Sequence, residues 1–149
     1  MKKKRFSPLV IFLFLFYIAM LLKLTVFRDG FVFDSQSFFT KGSIVLKPAS
    51  TYVMMYKHKA YELMAYNLLG NIIMFIPFGF CVKYINYKIK PLRLMLTGIV
   101  FSFCIEFAQY MFGTGVSDID DIILNTLGVM IGGLVLGNIF IKGSKRGKK

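Results

Sequence analysis

Histidine, cysteine and acidic residues are all scarce in this chain, and each scarcity removes a class of chemistry. The one histidine, His58, stands between Lys57 and Lys59. With no cysteine or carboxylate at ligand spacing beside it, it reads as solvated surface rather than as a metal ligand. Cys81 and Cys104 fall inside apolar runs at different depths, where a thiol acts as small apolar filler, so neither a disulfide nor a thiolate metal site is expected. Seven Asp and Glu stand against 19 Lys and Arg, a net charge of +12. No aromatics interleave with the basic clusters as they would on a nucleic-acid surface, so no nucleic-acid partner is expected and the charge reads as membrane-facing. Residues 1–5 and the apolar run behind them are followed by no small-x-small cleavage site before Lys23, which reads as an uncleaved first helix.

Apolar length is what the chain has in abundance. Hydrophobic residues make up 56% of the 149, too many for a soluble surface of that size. About 20 apolar residues cross a bilayer as a helix, and the stretches 8–27, 67–85, 92–112 and 122–141 qualify. Lys and Arg concentrate in the N-terminus (Lys2, Lys3, Lys4, Arg5), a middle linker (Lys83, Lys88, Lys90, Arg93) and the tail 142–149 (Lys142, Lys145, Arg146, Lys148, Lys149), with no acid among them. All seven acids lie with the remaining basic residues, Lys23, Arg28, Lys41, Lys47, Lys57 and Lys59, on the opposite side. The positive-inside rule then predicts an all-α integral membrane protein, a single-domain four-transmembrane-helix bundle with N-in, C-in topology and an extracellular loop over 28–66. Lys23 extends toward the headgroups, and Arg28 and Asp29 mark the exit of the first span. The loop carries Phe31, Phe33, Phe38, Phe39, Tyr52, Tyr56 and Tyr61 without a strong period. It reads as a segment on the membrane surface or over the bundle, with room for a short strand or amphipathic helix.

Polar residues inside the spans locate a site. Asn67 and Asn71, four apart, share a face of the second span with Phe75 and Phe78, ahead of Pro77 and Gly79. Ser102, Glu106 and Gln109 form one polar stripe on the third. Asp118, Asp120 and Asp121 precede the fourth, whose face continues through Asn125, Gly128 and Gly132. Gly128 to Gly132 and Gly133 to Gly137 are spacings that permit close helix packing. Glu106 lies roughly 9 Å below the outer end of its helix, and Asn71 and Asn125 roughly 6 Å below theirs, so three polar faces meet at one level. A carboxylate at that depth costs about 2.5 to 3.5 kcal/mol on insertion scales unless compensated. Amide and hydroxyl side chains serve as interhelical glue for about 0.6 kcal/mol, but glue needs no carboxylate. The expectation is an outward-opening polar pocket in the outer leaflet with the three aspartates at its rim.

These motifs, Asn67-x3-Asn71-x3-Phe75-x-Pro77-x-Gly79, then Ser102-x3-Glu106-x2-Gln109, then Asp118-x-Asp120-Asp121-x3-Asn125-x2-Gly128, resemble in order and spacing those of VanZ-like membrane proteins. One departure is visible: many members place an arginine shortly before the acidic motif, whereas Gly113 to Ser117 contains no basic residue. A positive partner for the aspartates would come from Arg28, Lys23 or the outer loop. The resemblance implies the cytoplasmic membrane of a Gram-positive bacterium and an association with low-level glycopeptide resistance, teicoplanin more than vancomycin. It implies no catalytic mechanism.

Three mechanisms are compatible with the residues. A non-enzymatic protein would use the pocket to bind a lipid headgroup, a cell-wall precursor or the lipoglycopeptide itself, with no cofactor. An enzyme on a lipid-linked substrate would use Glu106 as general acid or base, with Asp118, Asp120 and Asp121 as weak candidates for Mg²⁺. A small proton-coupled transporter would use Glu106 as the exchanging group and the glycine faces for a homo-oligomer, though no internal repeat supports alternating access.

Overall fold

The computed structural model describes residues 8–27 and 43–146. The first apolar run forms α1 (Pro8–Thr25), followed by strand β1 (Ser43–Val45), the short helix α2 (Ser50–Lys57), the long helices α3 (Tyr61–Ile85) and α4 (Pro91–Phe112), strand β2 (Val116–Asp118), and α5 (Ile119–Met130). A π-helical segment (Ile131–Leu136) joins α5 to α6 (Gly137–Arg146), so the last span runs as one rod. Four helices are long and apolar enough to cross a membrane: Pro8–Thr25, Tyr61–Ile85, Pro91–Phe112 and Ile119–Ile141. Arg28, Asp29, Asp34, Lys41, Phe31, Phe33, Phe38 and Phe39, and the basic residues before position 8 and after 146, lie outside the described residues.

Helix limits depart from the apolar runs for a physical reason. Apolar length marks the stretch that sits in hydrocarbon, whereas the backbone ladder continues into the polar zone. The second span therefore starts at Tyr61, not 67, and the last one starts at Ile119, not 122, and continues to Arg146. Conversely, α1 stops at Thr25, and Val26 and Phe27 turn off it with both amides bonded to the Leu22 carbonyl. The loop over 28–66 contains both a short strand and a short helix.

Burial is inverted relative to a soluble bundle. On α4, Ser102 and Glu106 are buried while Phe103 and Phe107 are exposed, and α1 exposes Leu9, Phe12 and Phe16. Apolar side chains face outward because lipid is their solvent, and backbone polar groups are satisfied within each helix. The interior is thin: Phe75, Leu94, Ile105 and Val129 form its centre, with Phe78 stacked on Phe101 at 4.0 Å between ring centroids.

Helix α5 is the hub, packing closely along both α3 and α4, whereas α3 and α4 meet each other through the rings of Phe75, Phe78 and Phe101. Gly128 and Gly132 sit against the Ile72 and Ile76 carbonyls of α3, Gly79 answers against Val129, and Gly133 and Gly137 lie against Leu94 and Lys83. At Gly79, Gly128 and Gly132 a Cβ would collide with backbone, so backbone approaches backbone there, while at Gly133 and Gly137 it would meet the Leu94 and Lys83 side chains. These glycine faces are thus occupied within the chain. The wide π turn, in which Gly137 N–H donates to Gly132 O, carries the rod past this contact. At the Ile85 end of α3, Lys83 is buried and its Nζ donates to Ile89 O at 3.4 Å.

At the opposite end, α4 closes in a Schellman arrangement. Thr114 N–H donates to Gln109 O and Gly113 N–H to Tyr110 O, with Gly113 at φ 63°. That reversal aims β2 across the bundle end, where it pairs in parallel with β1, Val45 opposite Asp118. Together β1 and α2 make a cap over this end.

Candidate functional site

Asp118 organises the junction of cap and bundle. Its side chain caps α5 by accepting Asp120 N–H at 2.9 Å, as expected for an aspartate before a helix start. It also accepts Thr51 Oγ1 from α2, and its own N–H donates to Glu106 Oε2 at 3.1 Å. Ser117 adds a side-chain hydrogen bond to Glu106. The intramembrane carboxylate is thus compensated by donors from β2.

The other two aspartates turn elsewhere. Asp120 accepts Ala49 N–H with both oxygens, at 3.0 and 2.7 Å. Ala49 is left-handed at φ 60°, a conformation costing a non-glycine residue about 1 to 3 kcal/mol that persists only where surroundings enforce it. The two bonds from Asp120 supply that enforcement. Asp121 accepts Asn71 Nδ2, which also donates to Asn67 Oδ1 at 3.2 Å. One turn deeper, Asn125 Nδ2 donates to Ser102 Oγ at 2.8 Å, leaving Asn125 Oδ1 buried without a partner among the described residues.

Asn67, Asn71, Ser102, Glu106, Asp118, Asp120, Asp121 and Asn125 therefore converge in one level of the bundle. Gln109 does not join them: its Nε2 donates to Thr25 O of α1 at 3.1 Å. Asp118 and Asp120, 5% and 8% exposed, are covered by the cap and do not edge an open rim, and Glu106 is 3% exposed. Among the described residues no group of three or more His, Cys, Asp or Glu is arranged to hold a metal ion. Asp118, Asp120 and Asp121 diverge toward Thr51, Ala49 and Asn71. Lys23 is exposed in the last turn of α1, and Arg28 lies outside the described residues. Cys81 and Cys104 are free thiols.

Ala49, Thr51 and Tyr52 escape a reading by helix periodicity because they belong to the loop. The available signal was Pro48 followed by Ser50 and Thr51, a turn leading into a helix start. The buried Tyr52 hydroxyl has no hydrogen-bond partner among the described residues. Burial, then the charges of Asp121, Asp120 and Asp118, push its phenol up from 10.0 to about 12. The folded value lies above the unfolded one, so the contribution to stability is full below pH 10.0 and is lost as pH rises through about 12. Alkaline titration followed by phenolate absorbance should show an ionisation near pH 12 that Tyr52→Phe lacks, with loosening of the cap in that window.

A sequence model of VanZ/LLP1 matches residues 14–140, which includes every polar residue of this level. The chain belongs to the VanZ/LLP1 family. It is 38% identical over 66 residues to Protein VanZ of Enterococcus faecium, a match covering 44% of this chain and 40% of the relative. The chain thus spans about two fifths of that curated relative. No solved structure matches it. This VanZ-family chain, with four apolar helices of spanning length, is a multi-pass membrane protein.

Proposed function

We propose that the protein acts in the bacterial cytoplasmic membrane with its cap outside, and lowers susceptibility to lipoglycopeptides such as teicoplanin by engaging a lipid headgroup or cell-wall precursor at the outer surface. Orientation is argued from charge: Lys83, Lys88, Lys90 and Arg93 lie at the end away from the cap, and both basic termini are assigned to that side by the positive-inside rule. The observation that carries the reading is a cap pinned to a buried carboxylate level through Asp118, Asp120 and Glu106. Such an arrangement holds a surface segment rigidly where headgroups lie, which is what recognition needs and what simple helix packing does not. Divergence of the three aspartates favours binding over metal-assisted lipid chemistry. An acyl-bearing drug anchors in the same leaflet, so altered presentation of lipid or precursor there would affect teicoplanin more than vancomycin.

Susceptibility to both drugs in a Gram-positive host lacking the gene tests this. Complementation with wild type should raise teicoplanin tolerance, and Glu106→Gln or Asn125→Ala at matched membrane abundance should reduce that gain. If wild type leaves both drugs' effects unchanged, the resistance role is wrong.

A further inference from the structure

We infer that the cavity between the Lys47 turn and α2 receives the phosphate of an anionic membrane-lipid headgroup. The assignment rests on the outward cap proposed above and names the ligand class for it. The cavity measures about 330 Å³ and is lined by Lys47, Ser50, Val53, Met54, Lys57 and His58, among others. Ser50, Val53, Met54 and Lys57 recur at the spacing of one face of α2. The helix is therefore two-faced: Thr51 and Tyr52 meet the carboxylate level, while Lys57, with Lys47 and His58, faces the cavity.

Charge selects the ligand. Among the described residues no acidic one lines the cavity. The adjacent Asp120 is buried, and both its oxygens are held by Ala49 N–H. Two lysine ammonium groups and an imidazole suit a phosphate, which the carboxylate level would repel. Apolar surface selects the source. Val53 and Met54 are exposed beside the cations, a pairing that suits a phosphate carrying a glycerol and acyl portion better than a free anion. Height in the bilayer agrees, because Tyr56, Tyr61 and Tyr66 are all exposed where α2 passes into the membrane-length helix α3, Tyr66 at 80%, as in an interfacial aromatic belt.

His58 is the chain's one histidine, so isotope labelling at histidine gives one imidazole reporter inside the cavity. The full-length protein in a non-ionic detergent is titrated with short-chain phosphatidylglycerol, with phosphatidylcholine of the same chains, and with inorganic phosphate. Phosphatidylglycerol should move the His58 signal saturably, and Lys47→Gln/Lys57→Gln should raise its half-saturation concentration about thirtyfold. Lys88→Gln/Lys90→Gln, at the other end of the bundle, should leave it unchanged. An equal response to phosphatidylcholine, an equal response to inorganic phosphate at the same concentration, or undiminished binding by the Lys47/Lys57 variant overturns the assignment. A selective, lysine-dependent response in a protein that confers no teicoplanin tolerance upholds the site while the resistance role falls. Tolerance without a His58 response does the reverse.

Discussion

Gly132→Ala should lower the thermal midpoint of the detergent-solubilised protein by roughly 10 °C, while Gly70→Ala should leave it unchanged or slightly raised. Both glycines sit inside spanning helices, but their surroundings differ. A Cβ at Gly132 would collide with the Ile76 carbonyl, with the Phe80 amide nitrogen 3.0 Å away, whereas a Cβ at Gly70 meets nothing within 4 Å. Backbone cannot move aside as a side-chain tip can, so α3 and the last span, α5 with its π-helical continuation, must separate along their whole glycine contact. Overpacking costs typically 1 to 3 kcal/mol, and backbone collision places Gly132 at about the upper figure. At Gly70 the substitution adds only helix propensity, up to about 1 kcal/mol. Gly128→Ala, against Ile72 O, should resemble Gly132→Ala. Thermal unfolding monitored by circular dichroism checks all three; equal small shifts would show that the helices part without penalty and that α5 is not the hub.

Spans were legible in the sequence because hydrocarbon imposes a length and a composition, and nothing else in the chain meets both. The polar level was legible because side chains at helical spacing share a face whatever the fold, so Ser102 and Glu106, or Asp121 and Asn125, had to point together. Which faces meet was not. Gln109 lies on the same stripe as Glu106 yet turns to α1, because one stripe is wide enough to border two neighbours. A segment over the bundle was expected, but what it bonds to was illegible for a different reason. Its bonds join residues 71 and 67 positions apart, Ala49 with Asp120 and Thr51 with Asp118, and β1 is only three residues long. No local period records such pairings. Reading the aspartates as an open rim followed from that omission, since their partners lie in the loop.

Asp118→Ala should undock the cap from an otherwise folded bundle. It removes the α5 N-cap, worth about 1 kcal/mol, and the charge-assisted bond from Thr51, worth about 1.5 to 3 kcal/mol, while the backbone N–H to Glu106 remains. Of the two, only the Thr51 bond is broken on opening, so its loss corresponds to a roughly ten- to hundredfold rise in the opening of β1 and α2, measurable as faster amide hydrogen exchange over residues 43–57 with α3 and α4 unaffected. One opposing effect must be separated. Glu106, Asp118 and Asp121 lie close together, so deleting one carboxylate also relieves repulsion. Asp118→Asn removes the same charge but keeps Oδ1 as the acceptor for Asp120 N–H, and its Nδ2 can donate to Thr51 Oγ1 in place of the bond that Oδ2 accepted, so it should exchange far more slowly than Asp118→Ala. Thr51→Val should raise opening of the cap alone, by about tenfold, without weakening α5. Were Asp118→Asn as loose as Asp118→Ala, charge rather than hydrogen-bond geometry would hold the cap. Unchanged exchange in both would mean that β1 and α2 are fixed by the strand pairing and by α3, with Asp118 serving α5 only.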